Sequence, residues 1–174
     1  MITKSKGKLN PLSSCLAVLS LAAAVLFILP QFSRTVLNGA PLNINGFKLA
    51  FGFKDTVEVP GRIYVLIPFL LGILNTGILF SHQFVKALKG KTAPIFLAVA
   101  FLAFVSVALL IIYFFSAKNI DAGSSVIHNY YFKNIAESSN KDVLRGGFTF
   151  WFWLGAVCHL LCLIGCCGCA VRRK

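Results

Sequence analysis

Residues 93–116 read APIFLAVAFLAFVSVALLIIYFFS and contain no Asp, Glu, Lys or Arg. An α-helix rises about 1.5 Å per residue, so a run of this length can cross the roughly 30 Å hydrocarbon core of a bilayer once. An uncharged apolar run this long is typical of a transmembrane helix rather than of a helix in a soluble core. The stretch therefore predicts a membrane span.

The same pattern recurs in three other parts of the chain, residues 12–30, 63–81 and 148–171, none of which holds a charged residue. Over all 174 residues, 57% are hydrophobic and 13% charged, with a mean hydropathy of +0.81. Soluble domains are only about 45–50% apolar. The sequence predicts an all-α membrane protein, a four-transmembrane-helix bundle in a single membrane domain over residues 1–174.

The first span could instead be a cleaved signal peptide, since Lys4, Lys6 and Lys8 precede its apolar core. Signal peptidase needs a small-x-small site after such a core, and Pro30-Gln31-Phe32 does not provide one. We expect the segment to be retained as a signal anchor.

Basic residues are concentrated in three short segments that contain no acidic residue. Because Lys and Arg mark cytoplasmic loops, this asymmetry predicts cytoplasmic termini and extracytoplasmic loops at 31–62 and 117–147, in the plasma membrane or a bacterial inner membrane. The charges favour anionic lipids of the inner leaflet as partners. Without an interleaved aromatic surface they do not indicate nucleic-acid binding. The three segments hold Lys4, Lys6 and Lys8; Lys86, Lys89 and Lys91; and Arg172, Arg173 and Lys174.

The first outer loop has the pattern of a β-hairpin. Leu42 and Ile44 alternate with polar residues, Asn45-Gly46 favours a tight turn, and apolar residues alternate again from Phe47 to Phe53. Val57 and Val59 could add a third strand. We expect a small β-hairpin cap in this loop, either covering the helix ends or serving as a recognition platform.

The second outer loop predicts a short amphipathic helix on the outer leaflet. Ile127, Tyr130 or Tyr131, and Ile135 follow helical spacing, and tyrosines favour the membrane interface. His128 has no second metal ligand at usable spacing and is interpreted as a solvated loop residue.

Span two holds the candidate intramembrane polar residues, Asn75 and Thr76. With Pro68 and Gly72 they could form a broken helix that lines a transport path. Alternatively, Gly72 and Thr76 are small residues that allow close helix packing, while Asn75 bonds across the interface. The second interpretation is preferred.

Five of the six cysteines lie in span four, and four of them fall on one helical stripe at about 100° per residue: Cys158, Cys162, Cys166 and Cys169. We expect this stripe to contact another helix, because free Cys behaves as a small hydrophobe. Acylation of Cys166, Cys167 or Cys169 beside the basic tail is an alternative.

A metal or redox role for Cys158, His159, Cys162 and Cys15 is a third alternative. The stripe extends over about 16 Å of helix, too far for one ion with Zn–S bonds of about 2.3 Å. No metal and no cofactor is predicted.

In its layout of four spans, cytoplasmic ends and a β-patterned first outer loop, the chain resembles claudin-type proteins. It lacks that family's first-loop tryptophan motif and cysteine pair, since it has no Trp before Trp151 and no Cys between Cys15 and Cys158. It is more similar to small uncharacterised four-span proteins of bacterial inner membranes, some with a stretch like GFKLAFG at 46–52. This resemblance implies a layout and no activity.

The spans contain no pair of carboxylates, and no Ser/His/Asp set or phosphate-binding glycine loop is evident. We therefore expect a non-enzymatic membrane protein of structural or protein-interaction type, which contacts a partner or a second copy through its spans. The alternatives are a small transporter or channel-like protein and a thiol- or metal-dependent membrane protein.

Overall fold

The structure is a computed structural model that describes residues 11–36, 42–54, 58–85, 92–118 and 143–171. This part of the chain is mostly helical, with five α-helices: α1 (Pro11–Leu26), α2 (Gly46–Phe51), α3 (Leu66–Phe84), α4 (Thr92–Lys118) and α5 (Phe150–Val171). Five short strands accompany them: β1 (Pro30–Val36), β2 (Leu42–Asn45), β3 (Gly52–Lys54), β4 (Glu58–Pro60) and β5 (Val143–Phe148). A 3₁₀ turn, Ile63–Val65, leads into α3.

Three helices are long and apolar enough to cross a membrane: Ile63–Phe84, Thr92–Phe115 and Phe150–Val171, with 22, 24 and 22 residues. They coincide with the predicted spans 63–81, 93–116 and 148–171 to within three residues at each end. The chain is therefore a membrane protein. The remaining apolar helix, α1, is shorter at 16 residues.

The four longer helices pack as a ring in chain order. α1 contacts α3 and α5, and α4 also contacts α3 and α5. Neighbours run antiparallel: Ser13 near the start of α1 bonds to Leu79 near the end of α3, and His82 at the end of α3 meets Phe96 at the start of α4. Each of the four helices thus lies beside those that precede and follow it in the chain. α5 closes the ring by packing against α1.

A three-stranded antiparallel sheet lies where α1 ends and α5 begins, in the order β2-β1-β5. β1 follows α1 after a short turn, and β5 leads into α5 through Thr149, whose N–H donates to Gln31 O at 3.0 Å. Phe148 on β5 contacts both Tyr113 of α4 and Phe152 of α5, with ring centroids 5.6 and 4.4 Å apart. Aromatic packing therefore joins the sheet to the bundle.

The predicted turn at Asn45-Gly46 is wrong. Asn45 instead caps α2: its side-chain oxygen accepts from Lys48 N at 3.0 Å. Leu49 and Ala50 are buried whereas Phe51 is 64% exposed, so the apolar residues follow a helical period and not the predicted alternation. Asn is a good N-cap as well as a good turn residue, which explains the error.

The strands of the cap pair partly as predicted. The suggested third strand is present as β4, in which Val59 pairs with Phe53 of β3. β2, however, pairs with β1, which directly follows α1, and not with a strand after Asn45-Gly46. β5, not predicted as a strand, covers the end of the loop predicted at 117–147 and the first residue of the predicted fourth span, Phe148. The amphipathic helix predicted around Ile127 and Ile135 lies outside the described residues, as do the basic segments at both termini.

Replacing Gly72 with Leu should destabilise the bundle. A Cβ atom at Gly72 would lie 3.1 Å from Ser20 O and 3.3 Å from Ala24 Cβ, so a larger side chain must push α3 away from α1. Overpacking of this kind costs about 1–3 kcal/mol. The matched control is Gly77→Leu, because a Cβ at Gly77 meets nothing within 4 Å. Thermal unfolding in detergent measures both, and an equal loss in the two variants would contradict the packing shown here.

Candidate functional site

One side of α1 is formed by the small buried residues Ser13, Ala17, Ser20 and Ala24, which we call the α1 seam. These residues are spaced four, three and four apart, so they share one face of the helix, and all four are buried. Small side chains let neighbouring helix backbones approach closely in a membrane protein. The α1 seam lies between α3 on one flank and α5 on the other.

Polar side chains connect the seam to α3. Ser13 Oγ donates to Leu79 O at 3.3 Å, and Thr76 Oγ1 lies 2.8 Å from Gly72 O and 3.4 Å from Ala17 O. Thr76 therefore meets both the carbonyl one turn before it and the backbone of α1. Such intramembrane bonds contribute about 0.6 kcal/mol on average. The predicted polar residue Thr76 thus lies at a helix contact.

On the α5 flank the contact is made by a cysteine. Cys162 is fully buried, with its Sγ 3.1 Å from Ser20 Oγ and 4.0 Å from Leu16 O. Gly165, one turn on, faces Leu16 so closely that a Cβ atom there would lie 2.5 Å from Leu16 Cδ2. Cys162 and Gly165 together allow α5 to lie directly against α1.

The structure divides the cysteines into two groups. Cys158, Cys162, Cys166 and Cys169, the predicted stripe, are all buried. Cys167 and Cys15 are exposed on the outer surface of the bundle. Of the three candidate acylation sites, Cys166, Cys167 and Cys169, only Cys167 is exposed to a modifying enzyme.

Across the described ranges, no group of three or more His, Cys, Asp or Glu side chains is placed to hold an ion. Cys15 is exposed whereas Cys162 is buried, so the thiols suggested as shared ligands of α1 and α5 lie in different surroundings. The buried cysteine stripe is occupied by packing contacts.

Asn75 is completely buried on the inner face of α3, and neither atom of its side-chain amide has a hydrogen-bond partner among the described residues. Its neighbour in the sequence, Thr76, bonds to Ala17 O, so Asn75 lies at about the level of the middle of α1. A buried amide without a partner carries a free-energy cost of about 1–3 kcal/mol. Asn75 is the most polar unsatisfied group inside the bundle's described core.

A small, partly open cavity of about 20 Å³ lies among the helices below the sheet. All four longer helices and β1 contribute to its wall, and its polar lining residues are His159 of α5 and Gln31 of β1. His159 is 2% exposed, and its Nδ1 has no hydrogen-bond partner within the described part of the chain. The lining does not include Asn75 or Thr76, so the predicted polar pair of α3 does not open onto this cavity.

Sequence analysis missed several of these residues. Ser13 and Ser20 lie seven residues apart, and this spacing alone could have placed both on the packed face of α1. His159 was considered only as a soft metal ligand. Gln31 was treated as part of the boundary after the first span, and no sequence signal pairs it with a residue of the last span.

No protein-family model matches the chain, and no match is found among curated proteins or solved structures.

Labelling of thiols in the native protein should separate Cys15 and Cys167 from the other four cysteines. A membrane-permeant maleimide should react with these two in intact membranes and with all six only after denaturation, because four thiols are shielded by neighbouring helices. Mass spectrometry of the digested protein measures the modification. Rapid labelling of Cys162 in the folded protein would contradict the placement of the stripe.

The double variant Cys158→Ala, Cys162→Ala should remain folded. Ala keeps the face of α5 small and apolar, and the bond lost between Ser20 and Cys162 contributes only about 0.6–2 kcal/mol. Size-exclusion chromatography and thermal unfolding in detergent measure assembly. Stoichiometric zinc or iron in the purified parent protein that disappears in the variant would instead show a metal site.

Proposed function

We propose that the chain is a four-span integral membrane protein of the plasma or inner membrane, with both termini cytoplasmic and a β-structured cap on the extracytoplasmic side. Its function is structural or protein-interacting and not enzymatic. Its partners are anionic inner-leaflet lipids at the basic segments, and a protein or second copy contacted through the spans. The observation that carries the proposal is the packed interior, in which the polar and thiol groups serve mainly helix contacts.

The fourth span is α1 together with the turns that extend it. Pro11–Leu26 covers about 24 Å at 1.5 Å per residue. Phe27, Ile28 and Leu29 each donate a backbone bond three residues back, so hydrogen-bonded turns extend the helix for about 6 Å more. The resulting length of about 30 Å equals the thickness of the hydrocarbon core. α1 also packs lengthwise between two of the long helices.

The outer surface of the bundle supports burial in lipid. Large apolar side chains are exposed along all four helices, for example Val18, Leu70, Phe101 and Leu160. Exposed aromatic residues collect near the sheet, where they would meet the membrane interface: Phe115, Phe150, Trp151 and Trp153. The helix ends that flank the basic segments in the sequence, at Pro11, Phe84, Thr92 and Val171, belong to the opposite end, which the positive-inside rule assigns to the cytoplasm.

The packed interior supports a structural class over a transporter. A substrate path through a membrane needs a polar passage or a water-filled cavity. Here the cavity of about 20 Å³ is near the size of one water molecule, and Thr76 and Cys162 contact α1. Within the described residues no group of three or more His, Cys, Asp or Glu side chains is placed to hold a metal ion.

Asn75 supports the second candidate, a small transporter or channel-like protein. Its amide is fully buried without a partner, and polar groups of this kind inside spans are functional candidates by default. A path reaching it would require the helices to separate along the inner face of α3.

Reporter fusions at the two termini test the number of spans. Four spans place both ends in the cytoplasm, so a reporter active only in the cytoplasm should work at either end. A third fusion after Gly147 should report the extracytoplasmic side. Termini on opposite sides of the membrane would show that α1 does not cross it.

A flux assay tests the class. Purified protein in liposomes should leave the permeability to protons and K⁺ unchanged, because polar groups of the described interior, such as Thr76 and Cys162, are engaged in contacts with α1. Ion flux that is lost in Asn75→Leu, while the Thr76→Val variant of the neighbouring helix contact keeps it, would favour the transporter. Dye-filled vesicles without protein provide the baseline.

A further inference from the structure

The cavity below the sheet is lined by polar side chains whose donor or acceptor atoms are not all used in hydrogen bonds. Its volume of about 20 Å³ exceeds the roughly 10–15 Å³ that one water molecule requires. A purely apolar cavity of this size would remain dry, but this one is lined by His159 and Gln31. Both side chains are more than nine-tenths buried, at 2% and 6% exposure.

The hydrogen bonds made by the Gln31 side chain leave its oxygen available as an acceptor. Gln31 Nε2 donates to Leu26 O at 2.6 Å and to Leu29 O at 3.0 Å, so both amide hydrogens are used to hold the end of α1. The side-chain oxygen takes part in neither bond. Gln31 lines the cavity from the strand that begins the sheet, and this oxygen is the acceptor of its side chain.

His159 supplies the second polar group from the opposite element, α5. Its ring lines the cavity, and Nδ1 has no partner among the described residues. A buried polar group without a partner is costly, and ordered water is the usual partner where protein groups are absent. Two polar side chains on a cavity of one-water size therefore meet the requirement of two to four partners.

We propose that this cavity is a binding site for a single water molecule held between the His159 imidazole and the Gln31 side-chain oxygen. The water connects α5 of the bundle to β1 of the sheet. It therefore links the membrane-embedded part of the protein to the cap, in addition to the aromatic contacts of Phe148. The site is independent of the proposed structural function, because it concerns a ligand and not a partner or a path.

Nuclear magnetic resonance of full-length protein in lipid nanodiscs tests the site. The chain has three histidines, so selective histidine labelling gives few signals, and the one lost in His159→Phe belongs to His159. The carbon-bound ring protons of His159 should show a direct cross-relaxation peak to water. Absence of this peak in the folded parent protein overturns the proposal.

Filling the cavity provides the second measurement. Ala156 lines it, so Ala156→Val should displace the water, abolish the cross-peak and lower the melting temperature by about 3–10 °C, as expected when buried polar groups lose their partner. The control is Ala98→Val on the exposed face of α4, which should change neither quantity.

Two results from this pair of variants would contradict the water site. A cross-peak that survives in Ala156→Val places the water elsewhere. A melting temperature that rises in Ala156→Val, with no cross-peak in the parent, shows a dry cavity that gained apolar packing. Either result separates a water site from empty space, and neither depends on the number of spans or on the class of the protein.

Discussion

The close approach of α1 to two neighbouring helices is the constraint on which the bundle depends. In a bilayer the hydrophobic effect does not drive helices together, so association rests on van der Waals contact and a few hydrogen bonds. A Cβ atom would lie 3.1 Å from Ser20 O at Gly72 and 2.5 Å from Leu16 Cδ2 at Gly165. Ser20 and Cys162 meet between these two points. Larger residues at these positions would separate α1 from the ring and leave an apolar helix beside three others.

The positions of the helices could be predicted from the sequence because charge is so costly inside a membrane. The absence of charge from residues 63–81, 93–116 and 148–171 marks the long helices directly. The cap is different, since its strands are set by pairing between distant segments. Phe32 lies opposite Phe148, more than a hundred residues away, and no local pattern specifies that partner. Asn45 illustrates the local ambiguity, because one residue type suits both a turn and a helix cap.

The candidate site was predictable to the extent that it follows helical geometry. Cys167 comes nine residues after Cys158, two and a half turns on, and it is exposed where the stripe is buried. His159 lies about 100° from Cys158 and is nevertheless buried, because α5 packs against α4 as well as α1. A stripe of residues at one helical angle identifies only one contact face of a helix. The polar lining of the cavity depends on a histidine in one element and a glutamine in another, a proximity that only the folded chain creates.

The pairing of β1 with β5 also has a consequence for biosynthesis. β1 follows the first apolar helix and leaves the ribosome early, whereas β5 and α5 emerge near the end of the described chain. Until then the central strand of the sheet lacks one neighbour, and α1 lacks one of its two flanks. Domains are generally completed in the order of synthesis, but this one cannot be. α1 must wait for α5, so its small-residue face stays available to chaperones or other helices until α5 has been made.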